Sequence, residues 1–145
     1  MRVYEVMSKA VETVRPQVHA SEAKTRMRNR NIHHLVVMEG TKLSGIVSER
    51  DLGGSKLSKV LGRRTVEELM TSPVVTVTTR TPVRRAAALM KGRSIGSLVV
   101  TSANGKVAGI ITVADLLDLL ARTPERRSNK DVRRAKSALD EEEWE

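Results

Sequence analysis

The chain contains the same pattern twice within 145 residues. Residues 2–52 align with residues 65–116 when a single one-residue gap is allowed. The clearest matching phrases are GIVSERDL at 45–52 and GIITVADL at 109–116. A duplication of this kind decides the architecture, because each copy must form the same unit and bury its apolar face against the other copy.

The second copy predicts where two helices begin. Thr65 and Glu68 have the spacing of a capping box, which predicts a short helix after Thr65. Thr81 and Pro82 are expected to cap and begin a longer helix. The apolar stripe of that helix follows i, i+3, i+4, i+7 spacing and consists of Val83, Ala86, Ala87 and Met90.

Strands fill the remainder of the second copy. Branched apolar runs predict strands at 74–78, 97–101 and 107–111, and the Asn-Gly sequence at 103–106 predicts a turn between the last two. A final helix is expected from about 113 to 122. The order is helix, strand, helix, strand, strand, helix.

One copy is too small to be stable alone. A unit of about 60 residues buries only about 60% of the surface of its unfolded chain, so two copies should pack face to face. The expected fold class is α/β of the α+β type, with pseudo-two-fold symmetry, small packed sheets, flanking helices and a cleft that presents two related sites. The predicted divisions are repeat 1 at 1–62, repeat 2 at 63–122 and a charged tail at 123–145.

Composition restricts the environment and the partners. The chain has no Cys and no apolar run long enough for a signal peptide or a membrane span, which favours a cytoplasmic protein without membrane insertion. A net charge of +9 favours anionic partners but does not choose among nucleic acid, acidic lipid and small phosphorylated molecules.

The repeated phrase has two interpretations. Ser48 with Asp51, and Thr112 with Asp115, match the spacing of a helix capping box, in which the hydroxyl and the carboxylate satisfy backbone N–H groups. The same geometry suits a ligand, because a helix N-terminus attracts phosphate and a carboxylate binds a ribose diol. Both interpretations can hold together.

These motifs, in this order, resemble the cystathionine β-synthase (CBS) domain, here as the tandem pair called a Bateman module. The resemblance covers residues 2 to about 122. Its motifs are VYEVMS at 3–8 with VEELMT at 66–71, NIHHLVV at 31–37 with SIGSLVV at 94–100, and the two phrases that end in Asp-Leu.

The resemblance implies a regulatory module that binds AMP, ADP or ATP in the cleft between repeats, with no obligatory cofactor. Asp51 and Asp115 would hold the ribose, and Ser48 and Thr112 would contact ribose or phosphate. The residues that would line the adenine slots are Thr13, Val14, Ile46, Val47, Thr76, Val77, Ile110 and Ile111. Related modules commonly dimerise through their helices, so a homodimer that modulates an unknown regulated protein is expected.

The two sites should be unequal, because in the family each site combines an aspartate of one repeat with the phosphate-side residues of the other. The Asp115 site would contain His33 and His34, whereas the Asp51 site would contain Gly96 and Ser97. The histidine side is therefore expected to favour more phosphates, with an affinity that rises as the pH falls through roughly 6.5. Alternatively, the two histidines are merely polar residues at a strand entrance.

Two further features of the first copy depart from the second. Arg50 precedes Asp51 where the second copy has Ala114, and it either reaches a phosphate or partner subunit or is a solvated residue at a helix start. Gly53 and Gly54 lie where relatives continue a helix, and each costs about 1 kcal/mol of helix propensity. We expect the helix through Leu57, Val60 and Leu61 to begin late or to bend.

No catalytic or metal-binding motif is present in the sequence, since HExxH, GxSxG and Gly-rich phosphate loops are missing and there are only three His and no Cys. The sequence predicts no enzyme and no metal site. The alternative function is nucleic-acid association through the tail, using Arg126, Arg127, Lys130, Arg133 and Arg134 on phosphates.

Overall fold

The computed structural model describes residues 1–56 and 58–122. The first repeat contains a short 3-10 helix (Val3–Glu5), β1 (Thr13–Val14), α1 (Ala20–Arg30), β2 (His34–Glu39), β3 (Lys42–Ser48) and α2 (Lys59–Gly62). The second contains α3 (Val66–Leu69), β4 (Thr76–Thr78), α4 (Val83–Arg93), β5 (Ser97–Thr101), β6 (Val107–Thr112) and α5 (Val113–Arg122). The predicted fold class and the predicted order of elements are confirmed.

The two sheets have the same topology. The strand orders are β1-β2-β3 and β4-β5-β6, and in each sheet the first pair is parallel and the second pair is antiparallel. Leu35 pairs with Val47 in the first sheet, and Leu98 pairs with Ile111 at the matching positions of the second. The register also shifts at equivalent positions, after Val37 and after Val100. The duplication in the sequence is therefore a duplication of the strand register.

Each repeat has its own apolar core on one face of its sheet. Because side chains alternate along a strand, Leu35 and Val37 face the first core, and Leu98 and Val100 face the second. The first core also contains Val14, Ala20, Ala23, Met27, Val47, Leu52 and Val66. The second also contains Val3, Val77, Ala86, Met90 and Ile111.

The repeats exchange their first helical segments. Val3, from the first copy, is fully buried in the second core, and Val66 is fully buried in the first core. Matching backbone hydrogen bonds hold these segments, since Val3 N–H donates to the Thr81 carbonyl at 2.8 Å and Val66 N–H donates to the Val18 carbonyl at 2.8 Å. Neither core is complete without a segment of the other repeat.

The opposite faces of the sheets meet in the middle of the molecule. Val36 and Val99 alternate with core residues and so point away from the cores, yet both are buried. An apolar side chain on that face is shielded from water only if another part of the molecule covers it. Val36 lies in a pocket with Ile110 and Thr112, so the second repeat covers this face of the first sheet. The expected face-to-face packing is therefore present, and it creates the cleft.

The predicted helix starts of the second repeat lie within one residue of the observed ones, but the predicted caps do not form. Thr65 is the N-cap of α3, but its side chain makes no capping hydrogen bond. In α4 the N-cap is Pro82 and the first helical residue is Val83, one residue later than predicted. The Thr81 hydroxyl instead accepts from the Thr78 N–H at 3.1 Å, which closes the turn after β4.

The glycine pair delays the helix of the first repeat, as the sequence predicts. Residues 49–55 form turns, Gly53 and Gly54 have φ values of +93° and +60°, and α2 begins only at Lys59. The equivalent segment of the second repeat is the ten-residue helix α5. Leu57, which the sequence places in the first of these helices, lies outside the described residues, as does the tail at 123–145.

Within residues 1–56 and 58–122, the structure contains no helix that is long and apolar enough to cross a membrane.

Candidate functional site

Two pockets open along the cleft, and each is lined by both repeats. The pocket that contains Asp115 has a volume of about 470 Å³, and the pocket that contains Asp51 has a volume of about 200 Å³. Small-molecule sites usually span about 300–1,000 Å³, so the Asp115 pocket has the size of a complete ligand site and the Asp51 pocket is smaller.

The Asp115 pocket combines the end of β6 with the first copy. Thr112, Val113, Ala114 and Asp115 form one side, with Ile110 behind them. The other side consists of Ser8, Ala10, Val11, Glu12, Asn31, Ile32, His33, His34 and Val36, and Gly96 completes the lining. The structure thus brings Asp115 together with both histidines, which is the crossed arrangement expected from the resemblance.

The Asp51 pocket is the matching site of the other half. Ile46, Ser48, Arg50 and Asp51 face Thr71, Val74, Val75, Ser94, Ile95, Gly96 and Ser97. His34 lines this pocket as well, so one imidazole lies between the two sites.

Both copies of the repeated phrase form the reciprocal hydrogen bonds of a capping box, but only the second copy begins a helix there, because residues 49–55 of the first copy form turns. The Ser48 N–H donates to Asp51 Oδ2 at 2.8 Å, and the Asp51 N–H donates to Ser48 Oγ at 3.1 Å. In the second copy, the Thr112 N–H donates to Asp115 Oδ2 at 2.8 Å, and the Asp115 N–H donates to Thr112 Oγ1 at 3.3 Å. The capping interpretation is therefore correct for the hydrogen bonds of both copies and for the helix start of the second copy.

Capping leaves part of each carboxylate for a ligand. Within the described part of the chain, the hydrogen bonds to the side chains of Asp51 and Asp115 engage Oδ2, including a third one from the Thr112 hydroxyl at 3.1 Å. Oδ1 of each aspartate accepts none of these hydrogen bonds. The cap fixes the rotamer of the carboxylate, so its orientation exists before any ligand binds.

The exchanged segments bring hydroxyl residues to the pocket walls. Ser8 and Ile110 donate their N–H groups to each other's carbonyls at 2.9 and 3.0 Å, and Thr71 and Ile46 do the same at 2.9 and 3.2 Å. Ser8 and Thr71 are equivalent positions and were not predicted as site residues. Their signal was present in the sequence, since MS at 7–8 and MT at 70–71 place a hydroxyl at the same register in both copies.

Four of the six predicted apolar contacts face the cores instead of the pockets. Ile46 and Ile110 line the pockets, but Val47 and Ile111 are completely buried in the two cores, because adjacent strand residues point to opposite faces. Val14 and Val77 also belong to the cores.

The predicted pocket contacts in β1 and β4 lie one or more residues beyond the segments that form the pocket walls. Thr13 and Thr76 line neither pocket, and both are exposed. The walls are formed by the segments that precede these strands, at 10–12 and 74–75. The predicted strand at 74–78 explains part of the difference, since the observed strand begins only at Thr76.

Burial dominates the ionisation of His34. It lowers the pKa of this imidazole below its ordinary value of 6.5, and the neighbouring His33 lowers it further, while Asp51 and Asp115 act in the opposite direction. At neutral pH, His34 is therefore a neutral group that becomes cationic only in more acidic solution.

His33 is held by an acidic residue that the sequence did not single out. Its Nδ1 lies 2.7 Å from Glu49 Oε2, and this hydrogen bond is the main cause that lowers the pKa of the Glu49 carboxyl. Glu49 Oε1 also lies 3.5 Å from Lys24 Nζ. Lys24 Nζ is buried and forms this ion pair with Glu49. Among the described residues it makes no hydrogen bond of good geometry.

Among residues 1–56 and 58–122, no group of three or more His, Asp or Glu side chains is placed to hold a metal ion.

Comparisons with known proteins agree with this fold. A family model for the CBS domain matches residues 3–52 and 66–122. A CBS domain-containing protein of Dictyostelium discoideum is 31% identical over 136 residues, covering 85% of this chain and 93% of that protein.

Two solved structures with ligands have the same fold. The CBS domain pair of protein MJ0100, in complex with 5'-methylthioadenosine and S-adenosyl-L-methionine, aligns with a TM-score of 0.75 and 29% identity over 83% of this chain and 96% of the other. The cytosolic domain of the Mg²⁺ channel MgtE in complex with ATP aligns with a TM-score of 0.64 and 29% identity, covering 79% of this chain and 46% of the other.

Proposed function

The chain belongs to the CBS domain family, and on that premise we propose that it is a regulatory module that binds an adenosine nucleotide in the cleft between its repeats. The observation that carries the proposal is the pair of pre-oriented carboxylates, Asp51 and Asp115, each at the mouth of a pocket shared by both repeats. Relatives with this fold hold adenosine compounds, which supports an adenosine ligand for this chain.

The pocket chemistry fits the parts of a nucleoside phosphate. Asp115 Oδ1 accepts from the ribose hydroxyls, and Thr112 lies beside it. Ile110, Val11 and Val36 provide an apolar wall for the base. The start of α5 adds the partial positive charge of a helix N-terminus on the phosphate side, together with His33 and His34.

The Asp51 pocket supplies the same groups in a smaller space. Ser48 and Asp51 correspond to Thr112 and Asp115, Ile46 corresponds to Ile110, and Arg50 provides a cation at the rim. The difference of about 470 against 200 Å³ favours the Asp115 pocket as the site of the larger ligand. AMP, ADP and ATP are the ligands that we propose, with ligand sensing rather than catalysis as the role.

Calorimetric titration of the purified chain with AMP, ADP and ATP, after removal of any co-purified small molecule, tests the proposal. We expect saturable binding with a stoichiometry of one or two per chain. 5'-Methylthioadenosine and S-adenosyl-L-methionine serve as competitors that share the adenosine but lack the phosphates. A chain that is folded by circular dichroism and binds none of the five compounds contradicts the proposed function.

A homodimer is also proposed, through the exposed apolar face of α5. Val113, Leu117 and Leu120 follow i, i+4, i+7 spacing and are 44%, 61% and 68% exposed. Val60 on α2 is 75% exposed. A contiguous stripe of this kind is typical of a surface that another chain covers.

The alternative of nucleic-acid association depends on residues 123–145, which lie outside the described residues. A steep decrease of DNA or RNA affinity with salt would favour it, whereas saturable, stoichiometric binding of AMP or ATP favours the regulatory module. Action in the cytoplasm and the existence of a regulated partner protein stay predictions from the sequence.

A further inference from the structure

Glu49 connects two basic side chains at the edge of the Asp115 pocket. One carboxylate oxygen lies 2.7 Å from His33 Nδ1 and the other lies 3.5 Å from Lys24 Nζ. The Glu49 N–H also donates to the His33 carbonyl at 2.8 Å, so backbone and side chain both fix Glu49 against His33. The carboxylate occupies the position that an external anion would take between these two groups.

This charged trio exists in one repeat only. The positions equivalent to Lys24, His33 and Glu49 in the second copy are Ala87, Gly96 and Val113. Lys24 is also unusual for its place, since its side chain is only 9% exposed on the inward face of α1. A buried ammonium requires a nearby anion, and Glu49 provides it.

A second cavity continues the Asp115 pocket behind the trio. It shares Asn31, Ile32 and His33 with that pocket, and it is further lined by Lys24, Arg28 and Ser55. Apart from Glu49, the ionisable groups among its lining residues are cationic or can become so. A ligand that extends past His33 would therefore meet favourable charges, were it not for the Glu49 carboxylate.

We propose that Glu49 is a specificity-determining residue that limits the negative charge of the ligand accepted by the Asp115 pocket. This inference rests on the proposed function. Glu49 competes with phosphate for His33 and neutralises Lys24, and its charge repels each additional phosphate. The ratio of ATP to AMP affinity at this pocket is therefore lower than it would be with a neutral group at position 49.

The experiment compares the AMP and ATP affinities of the intact chain and its Glu49→Gln variant by calorimetry, in magnesium-free buffer at fixed ionic strength. We expect Glu49→Gln to raise ATP affinity about three- to tenfold more than AMP affinity, which is the order that Coulomb's law gives for unit charges about 3–6 Å apart in the high dielectric of water. The matched control is Glu22→Gln, which removes the same charge from an exposed pair with Arg26 on α1. The control should leave the ratio of the two affinities unchanged.

A second variant should change the ratio in the opposite direction. Lys24→Met leaves the Glu49 charge without its buried partner, so ATP affinity should decrease relative to AMP affinity. If Glu49→Gln does not fold because it leaves the Lys24 ammonium buried and unpaired, the double variant Glu49→Gln/Lys24→Met is compared with Lys24→Met alone. The double variant should show the higher ratio of ATP to AMP affinity.

The outcomes separate this inference from the proposed function. Nucleotide binding with the same ATP to AMP ratio in Glu49→Gln and in the intact chain overturns the inference and leaves the proposed function standing. An equal change in Glu22→Gln also overturns it, because the effect would then be one of total charge. Absence of nucleotide binding in every folded variant overturns both.

Discussion

The sulfur of Met7 packs against the backbone of Gly109 so closely that no side chain fits between them. A Cβ built on Gly109 would lie 2.8 Å from Met7 Sδ and 2.7 Å from the Ser8 carbonyl oxygen. Gly45 has the same relationship with Met70 and with the Thr71 carbonyl in the other half. These two glycines are where each repeat receives the segment donated by the other.

Replacing Gly109 with Ala should destabilise the protein by about 1–3 kcal/mol, because the Ser8 backbone must move to make room. Urea denaturation measures this change. The control is Gly92→Ala in the exposed part of α4, where nothing lies within 4 Å of the added Cβ, and there a gain of about 0.5–1 kcal/mol is expected from helix propensity. Equal stability of the two variants would contradict the tight approach at Gly109.

Asp115→Asn should lower adenosine nucleotide affinity at least about tenfold, because a neutral amide holds ribose hydroxyls more weakly than a carboxylate does. The amide oxygen can still accept from the Thr112 N–H, so the free energy of unfolding should change by less than about 1 kcal/mol. Calorimetry and urea denaturation measure the two effects. Asp51→Asn tests the smaller pocket in the same way.

A cap mutation away from the pockets is the control for the aspartates. Ser58 accepts from the Leu61 N–H at 3.0 Å as the N-cap of α2 and lines neither pocket. Ser58→Ala should cost about 1 kcal/mol of stability and leave nucleotide affinity unchanged. A similar loss of affinity in this variant would mean that the aspartates act through stability alone.

Acidification should destabilise the folded chain through His34. Its pKa is lower in the folded state than the ordinary 6.5, so the unfolded chain binds more protons between these two values and stability falls as the pH falls through that window. His33, Asp51 and Asp115 are the charged groups that act on it. Urea midpoints measured from pH 7 to pH 5 should therefore depend less on pH in His34→Gln.

The Glu49 carboxyl contributes in a separate range. Its pKa is also lowered, from 4.5, so its stabilising effect is present above that value and is lost as the pH falls through the lower folded-state value.

The His34 prediction has its own contradicting outcome. A pH dependence of stability that is unchanged by His34→Gln between pH 7 and pH 5 would show that His34 does not cause it.

Nucleotide binding should respond to pH in the opposite sense to stability. A phosphate beside His34 favours the imidazolium, so the contribution of this residue to affinity increases as the pH falls and is complete only below its lowered pKa. The expected range therefore lies lower than the value near 6.5 that the sequence suggests. AMP titrations of the intact chain and His34→Gln at several pH values isolate this contribution, and parallel curves would contradict it.

Leu117→Glu should convert a homodimer into a monomer, because it places a charge in the centre of the exposed apolar stripe of α5. Light scattering coupled to size-exclusion chromatography gives the mass. Lys106→Glu introduces the same acid into the exposed turn between β5 and β6 and should leave the mass unchanged. A mass that stays dimeric in Leu117→Glu would place the interface elsewhere.

The sequence predicts the framework well because its signals are local and occur twice. The branched apolar runs at 97–101 and 107–111, the Asn-Gly turn between them and the helix at 113–122 all depend on neighbouring residues, and all are observed. The delay after Gly53 and Gly54 is likewise local, since their positive φ values oppose helix formation.

The sequence predicts the site less well where tertiary contacts decide. Val47 and Ile111 have branched apolar side chains like their neighbours Ile46 and Ile110. Only the face of the sheet on which each side chain lies distinguishes core from pocket. Ser8 and Thr71 reach the pockets only through the exchange of segments. Glu49 escapes prediction because its partners, Lys24 and His33, lie far from it along the chain.

The exchange of Val3 and Val66 between cores has a consequence for synthesis on the ribosome. Residues 1–62 carry most of the first core, but that core lacks Val66 until translation has continued into the second copy. The nascent first half can therefore complete its core only after Val66 has left the exit tunnel, and we expect the two halves to reach their native state together.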